Sequence, residues 1–151
     1  MVLPGGLQRL TFGRAFNQSL EKVALPSGLQ SLTCGVSLNQ CLERVAPPSG
    51  LQSLTFDVSF NQSLMKLTLP SGLQSLTVGL MFNLNLVKAA LPSGLQSVTF
   101  DGVSTRWPEL HRSLVKVALP GGLLRLTFGP DFNQGLEKVA LPSGLQSLTC
   151  G

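Results

Sequence analysis

The chain has 151 residues, of which 12% are charged and 6% are aromatic, and it contains one His and no Tyr. With so few titratable side chains it has few means of acid–base chemistry, so we predict that it is not an enzyme. The formal net charge of +4 favours acidic partners only weakly. The N-terminus lacks the order of a signal peptide, and Asn83, Asn85 and Lys88 interrupt the most apolar window, so no membrane span is expected.

Prolines recur along the chain with a fixed period. Seven of the ten prolines are 22 residues apart at every step except between Pro92 and Pro120, which are 28 apart, namely Pro4, Pro26, Pro48, Pro70, Pro92, Pro120 and Pro142. Such a period predicts a solenoid, in which each repeat is one coil and stacked coils build the core. We therefore predict one domain, residues 1–151. Its coils are 3–24, 25–46, 47–68, 69–90, 91–118 with a six-residue insertion, 119–140, and a partial coil 141–151.

Within each coil the elements follow in the same order. Pro-Ser-Gly or Pro-Gly-Gly predicts a turn, because Pro fixes φ and Gly admits positive φ. The next segment, as in Leu29–Cys34, alternates apolar and polar residues and predicts a strand. Gly-x-x-Phe-Asn-Gln then forms a corner, and a segment such as Leu20–Leu25 predicts a second strand. The predicted fold is mainly β: a right-handed leucine-rich-repeat-like solenoid with two parallel sheets of short strands and little helix.

Side chains that point inward should stack on the side chains at the same repeat position in neighbouring coils. One predicted core column is Leu7, Leu29, Leu51, Leu73, Leu95, Leu123 and Leu145. Another is Phe16, Leu38, Phe60, Phe82, Leu110 and Phe132. One coil cannot bury these faces alone, so stability should depend on the interfaces between coils.

The repeat resembles the FNIP repeat, a relative of the leucine-rich repeat, and is similar to the leucine-rich repeats of bacterial surface antigens. Phe16-Asn17-Gln18, Phe60-Asn61-Gln62 and Phe132-Asn133-Gln134 carry the most specific part of the likeness. The resemblance implies an elongated solenoid used in protein interactions, often beside other domains of a longer chain. It brings no catalytic residues. The fifth coil departs from it, since 101–109 replaces the short corner.

The three cysteines are expected to be free thiols. Cys34 and Cys150 share a column that other coils fill with Phe or Val, so both are expected to be small core residues. They lie five coils apart, or ~24 Å. A disulfide requires Cα atoms within about 7 Å. Cys41 stands where other coils carry Ser. Reduced cysteines and the missing signal peptide favour a cytoplasmic setting.

A cation occurs at one repeat position in every full coil. The column comprises Lys22, Arg44, Lys66, Lys88, Lys116 and Lys138. On a strand these side chains would point outward, and neighbours ~4.8 Å apart would repel by about 0.9 kcal/mol in water. The column predicts either a basic strip for an acidic protein partner or a solvated face multiplied by duplication.

Two further features are candidates for contact. Ser and Thr alternate on the first strand, as in Ser31 and Thr33, and stacking would give a hydroxyl lattice that Arg9 and Arg125 interrupt. Such a lattice resembles the faces of ice-binding solenoids.

Trp107, in the insertion, is either a contact anchor or a cover over the core. His111 is expected to be a turn residue.

The sequence contains no metal-ligand, phosphate-binding or nucleophile motif, so no cofactor and no metal site is predicted. We expect a non-enzymatic scaffold for protein–protein interaction, with the cation column and Trp107 as contact residues and no specific nucleic acid as a partner. The alternatives are a structural segment of a longer array and, third, ice binding. Neither end has a polar cap, so a longer array or end-to-end self-association is expected.

Overall fold

The computed structural model of the chain describes residues 2–16, 18, 22–35, 45–57, 68–79, 90–101, 114–130 and 132–151. These residues contain seven short strands and almost no helix. The strands are β1 Arg9–Thr11, β2 Ser31–Cys34, β3 Ser53–Phe56, β4 Ser75–Gly79, β5 Ser97–Asp101, β6 Arg125–Phe128 and β7 Ser147–Cys150. They form one parallel sheet in the order β1 to β7, which confirms the predicted solenoid.

The strands pair so that equal positions of the repeat lie side by side. Ser31 pairs with Ser53, and Thr33 pairs with Thr55. The register continues across the long coil, where Thr99 of β5 pairs with Thr127 of β6. The longer fifth coil therefore leaves the register between β5 and β6 unchanged.

Backbone hydrogen bonds just before each strand join consecutive coils. The carbonyl of Gln30 accepts the N–H groups of both Gln52, at 2.8 Å, and Ser53, at 3.0 Å. The same pair of bonds recurs at all six junctions of the sheet, with accepting carbonyls on Gln8, Gln30, Gln52, Gln74, Gln96 and Leu124. Each junction thus satisfies equivalent backbone groups in the same way, which fixes the register of the strand that follows.

The Pro turn has the same geometry in every coil. In coil 2 the N–H of Leu29 donates to the carbonyl of Pro26 at 3.0 Å, and the equivalent bond closes all seven turns. The turn glycines do not use the positive φ that Gly admits, since Gly151 is the only described glycine with one. Glycine is favoured there by close stacking. A Cβ on Gly72 would lie 3.0 Å from the carbonyl oxygen of Ser49 in the preceding turn.

The predicted second sheet is not found among the described residues. There the segment after the corner forms a turn, in which the N–H of Val139 donates to the carbonyl of Leu136 at 2.9 Å. Val117 and Leu114 make the equivalent bond at 3.1 Å. Because these N–H groups bond within their own coil, they are not available to pair with the next coil. The described residues of 22–26, 45–48 and 68–70 carry no strand either.

The core lies on the inner side of the sheet and is apolar throughout the described part of the chain. Leu29, Leu51, Leu73, Leu95 and Leu123 of the predicted column are fully buried, while Leu7 and Leu145 of the outer coils are partly buried. Of the second predicted core column, which begins at Phe16, only Phe16 and Phe132 belong to the described residues. A second inward column on the strands comprises Leu32, Leu54, Leu76, Val98 and Leu126.

Phenylalanines link the strand to the corner that follows it. The N–H of Phe16 donates to the carbonyl of Gly13 at 3.1 Å, and this turn places the Phe16 ring on Phe12 with centroids 4.6 Å apart. Phe128 and Phe132 stack in the same way at 4.1 Å. Phe100 and Phe128 also stack from coil to coil at 5.6 Å. The Gly-x-x-Phe part of the repeat therefore completes the core at the end of the strand.

Replacing Gly35 by Ala tests how closely the coils approach each other. A Cβ on Gly35 would overlap the carbonyl oxygens of Phe12 and Gly13 in the preceding coil. We expect Gly35→Ala to lower the free energy of unfolding by about 1–3 kcal/mol, because backbone must move. Gly13→Ala is the control, since it lies in the same column with nothing within 4 Å of its Cβ. Urea unfolding measures both, and equal losses would contradict the close approach.

Replacing leucines of one column tests the contribution of stacking. Leu126 is 0% exposed, whereas Leu148, at the same repeat position in β7, is 42% exposed. We expect Leu126→Ala to lower the free energy of unfolding by about 2–5 kcal/mol. Leu148→Ala should cost clearly less, because that side chain is covered on one side only. Thermal or urea unfolding gives the comparison, and a larger loss for Leu148→Ala would disprove the assignment of the core.

Candidate interaction surface

The described members of the cation column lie on the surface of the solenoid. Lys22, Lys116 and Lys138 are all exposed. Arg44, Lys66 and Lys88 lie outside the described residues. The described members do not sit on a strand as predicted; Lys116 and Lys138 occupy the turn that precedes the Pro turn.

Buried residues on either side hold each of these turns in place. Leu114 and Val117 are buried in the core and flank Lys116. In the next coil Leu136 packs against the core and Val139 is buried, on either side of Lys138. Because both turns are closed by equivalent hydrogen bonds, the two lysines occupy the same place in consecutive coils. The turn therefore presents one cation per coil at a repeated position.

The electrostatics of the column follow from its spacing. If the coils keep the strand spacing of ~4.8 Å, neighbouring cations repel by about 0.9 kcal/mol in water, and salt screens more distant pairs. Glu137, next to Lys138, is exposed and offsets part of this charge. Within the described part of the chain, Lys22, Lys116 and Lys138 form no ion pair. Their charge is accordingly directed to solvent.

The outer face of the sheet carries the Ser and Thr residues. Thr occupies the same position in all seven strands, namely Thr11, Thr33, Thr55, Thr77, Thr99, Thr127 and Thr149. The neighbouring Ser column is replaced by exposed arginines at Arg9 and Arg125. Inner strands leave these hydroxyl side chains half-buried, as at Ser53 and Thr55. The face thus offers hydrogen-bonding groups in register, with a cation on β1 and another on β6.

The glutamine before each strand was not singled out from the sequence. Its side chain is exposed at Gln30, Gln52, Gln74 and Gln96, and its backbone carbonyl makes the paired bonds between coils. Its recurrence at six of seven equivalent positions was a visible signal. A recurrent polar residue suggests a surface role, however, while the coil contact uses main-chain atoms that any residue supplies.

The Phe-Asn-Gln corner is described at residues 132–134. Asn133 is exposed, and its side chain makes no hydrogen bond with the described residues. Instead the Gln134 side-chain amide donates to the Asn133 carbonyl at 2.8 Å. The Asn133 side chain therefore does not bond the backbone of the described part of this turn.

The insertion of the fifth coil lies mostly outside the described residues. Trp107 and His111 belong to that part, so their predicted roles as contact anchor and turn residue remain predictions. On its two sides the described residues are Asp101, the exposed last residue of β5, and Leu114, which is fully buried.

The two described cysteines differ in their surroundings. Cys34 is fully buried, as predicted for a core residue, and burial raises the pKa of its thiol to about 12. Cys150 is exposed, so its assignment to the core is wrong; it lies on β7, which has a neighbouring strand on one side only. Cys41 lies outside the described residues.

Two further features are absent from the described residues. No helix there has the length and apolar character needed to cross a membrane. No group of three His, Cys, Asp or Glu side chains in that part is arranged to hold a metal ion.

The raised pKa of Cys34 predicts a pH dependence of stability. The native state keeps the thiol proton up to about pH 12, whereas the unfolded chain loses it near pH 9. Stability should therefore fall as pH rises from about 9 to 12, by up to about 1.4 kcal/mol per pH unit. Cys34→Val is the control, because Val78 fills the same column. Urea unfolding between pH 8 and 10 should show a smaller decline for the variant, and identical slopes would refute the prediction.

The chain is similar to known repeat proteins. The FNIP Repeat family matches residues 1–35, 16–59, 60–102 and 112–151. Among solved structures, the chain is similar to the crystal structure of CroV588, described as a novel circular LRR protein structure, with a TM-score of 0.65 and 26% identity. The similarity covers 97% of this chain and 27% of that chain, so this chain spans about a quarter of its length. No curated protein matches the chain. The family match leaves only residues 103–111 uncovered, and the chain belongs to the FNIP repeat family.

Proposed function

We propose that the chain is a scaffold for protein–protein interaction that contacts an acidic partner through the cation column. The column comprises Lys22, Arg44, Lys66, Lys88, Lys116 and Lys138. The FNIP repeat and the leucine-rich-repeat solenoid are scaffold folds, which supports the general role. The observation that carries the finer proposal is the exposure of Lys22, Lys116 and Lys138 at equivalent positions.

Repetition supports binding to an extended acidic segment rather than to a single carboxylate. One exposed ion pair contributes only about 0–1 kcal/mol. Several cations held in a row add such contributions without further ordering of the scaffold, because buried residues such as Val117 and Val139 already fix the turns. An acidic segment also relieves the repulsion between neighbouring cations. The partner's contact should therefore depend strongly on ionic strength.

The insertion is the second part of the proposed surface. Trp107 stands in the one coil whose length departs from the repeat, nine residues before Lys116 of the same coil. An aromatic anchor next to a row of charges would give the partner a fixed position along an otherwise repetitive surface.

Ice binding through the Ser and Thr face is a weaker candidate. The Thr column is continuous over seven strands, which supports it. Arg9 and Arg125 are exposed in the adjacent column, and long charged side chains there disturb a regular hydroxyl surface. A structural segment without a dedicated partner is the remaining alternative, and it predicts no binding in the experiment below.

Reversing the charge of two column residues tests the proposal. Immobilised poly-glutamate serves as the probe, and affinity is measured by biolayer interferometry at low and physiological salt. We expect Lys116→Glu with Lys138→Glu to weaken binding at least about tenfold, or ~1.4 kcal/mol. Arg9→Glu with Arg125→Glu, on the sheet face, changes the net charge equally and is the control.

Two kinds of outcome would contradict the proposed binding through the cation column. Equal losses for the two double variants would mean that net charge alone attracts the probe. Binding that does not change with salt, or no binding at all, would remove the cation column as a contact surface. Circular dichroism of each variant establishes that the fold is unchanged.

A further inference from the structure

A row of small residues follows the cation column from coil to coil. It stands two positions after the cation in each repeat, and all six members are described and exposed, namely Ala24, Ala46, Thr68, Ala90, Ala118 and Ala140. The next two positions hold Leu-Pro, or Pro-Pro at residues 47–48. Residues 91–92 and 119–120 of these pairs are half-buried. We call residues 24–26, 46–48, 68–70, 90–92, 118–120 and 140–142 the Ala-Leu-Pro strip.

The backbone of the Ala-Leu-Pro strip has free hydrogen-bonding groups. Pro has no N–H and holds the residue before it in an extended conformation, so the strip contains neither strand nor turn. Within the described part of the chain, the N–H and carbonyl groups of residues 90–91 and 118–119 make no hydrogen bond. Exposed groups of this kind bond to water, and a partner that covers the strip must replace those bonds.

Apolar groups of the strip lie close to the coil surface. Among the described residues, the exposed large hydrophobic side chains are Val2, Leu141 and Leu148, and of these only Leu141 belongs to the strip. Ala has only a methyl group, whereas the lysine that precedes it carries its charge on a long aliphatic chain. Apolar side chains that project across this surface must therefore come from the partner.

We infer that the Ala-Leu-Pro strip receives an extended peptide segment that carries both acidic and apolar residues. The inference rests on the proposed function and describes its partner more closely. Carboxylates of the segment pair with the cation column, and its apolar side chains lie on the strip. The free backbone groups favour a peptide, because its main chain brings donors and acceptors of its own. They oppose a membrane, because acyl chains cannot satisfy N–H and carbonyl groups.

The spacing of the coils suits a peptide that runs along the solenoid. If the coils keep the strand spacing, two coils span ~9.6 Å, and three residues of an extended peptide span about 10 Å. An apolar residue at every third position would therefore meet every second coil. The acidic residues between them would lie within reach of the lysines, whose long side chains adapt to small differences in spacing.

Two peptides and two double variants test the inference. The peptides are three repeats of Glu-Glu-Leu or of Glu-Glu-Ser, so they differ in apolar side chains and not in charge. Ala118→Gln with Ala140→Gln places longer polar side chains on the strip without a change of charge. The control is Ser71→Gln with Ser93→Gln, because these serines are exposed in the Pro turn. Fluorescence anisotropy of labelled peptides gives the affinities at low and physiological salt, and circular dichroism checks the fold.

We expect the unaltered chain to bind the Leu peptide at least about fivefold more tightly than the Ser peptide, because apolar side chains become buried on the strip. Ala118→Gln with Ala140→Gln should abolish this preference and leave the affinity for the Ser peptide unchanged. The serine variant should keep the preference. A preference that survives in the alanine variant would overturn the inference, because the apolar contact would then lie elsewhere.

The same measurements separate this inference from the proposed function. Equal, salt-dependent binding of both peptides that is lost on reversal of Lys116 and Lys138 would overturn the role of the strip and leave the cation column in place. Absence of salt-dependent binding of either peptide would overturn both. Sedimentation with vesicles of phosphatidylcholine and phosphatidylserine is the membrane test. Vesicle binding that the alanine variant weakens would assign the strip to a lipid surface and contradict the peptide partner.

Discussion

The structure depends on the pair of hydrogen bonds at the start of each strand. One carbonyl of a coil accepts two N–H groups of the next, and this occurs at all six junctions. Because these bonds involve main-chain atoms, they hold equivalent positions side by side regardless of the side chain. Gln, Ser, Leu and Thr therefore each form a column along the solenoid. Burial of the leucine columns then supplies the hydrophobic stabilisation that isolated coils lack.

The same constraint organises the surface. A residue that recurs once per repeat forms a row of side chains along the solenoid. One substitution that is copied by duplication of the repeat therefore changes a long strip of the surface. The Thr column and the cation column both arise in this way, and they lie on different segments of the coil. The scaffold needs no helix to position them. Turns closed by single hydrogen bonds suffice at Lys116 and Lys138, because leucine and valine on both sides are buried in the core or pack against it.

The sequence predicted the sheet better than it predicted the opposite side of the coil. Leu29–Cys34 and Leu20–Leu25 have the same apolar spacing, and both were expected to form strands. Only the first kind pairs with neighbouring coils in the described residues, while Leu136–Val139 and Leu114–Val117 close turns instead. Apolar spacing states which side chains are buried, and Val117 and Val139 are buried as expected. It does not show whether the backbone groups form hydrogen bonds within their own coil or with the neighbouring coil. For the candidate site, exposure of Lys22, Lys116 and Lys138 was predictable, but their place on a turn was not.

The sequence by itself determined the period, the single parallel solenoid and the leucine columns, because a 22-residue repeat can bury its apolar residues only by stacking. Tertiary structure decided the features that depend on contacts between coils. The turn glycines are close-packed against the preceding turn rather than held at positive φ. Cys34 is buried whereas Cys150, at the same repeat position, is exposed. Equal repeats give equal local preferences, but burial depends on whether a neighbouring coil lies on both sides.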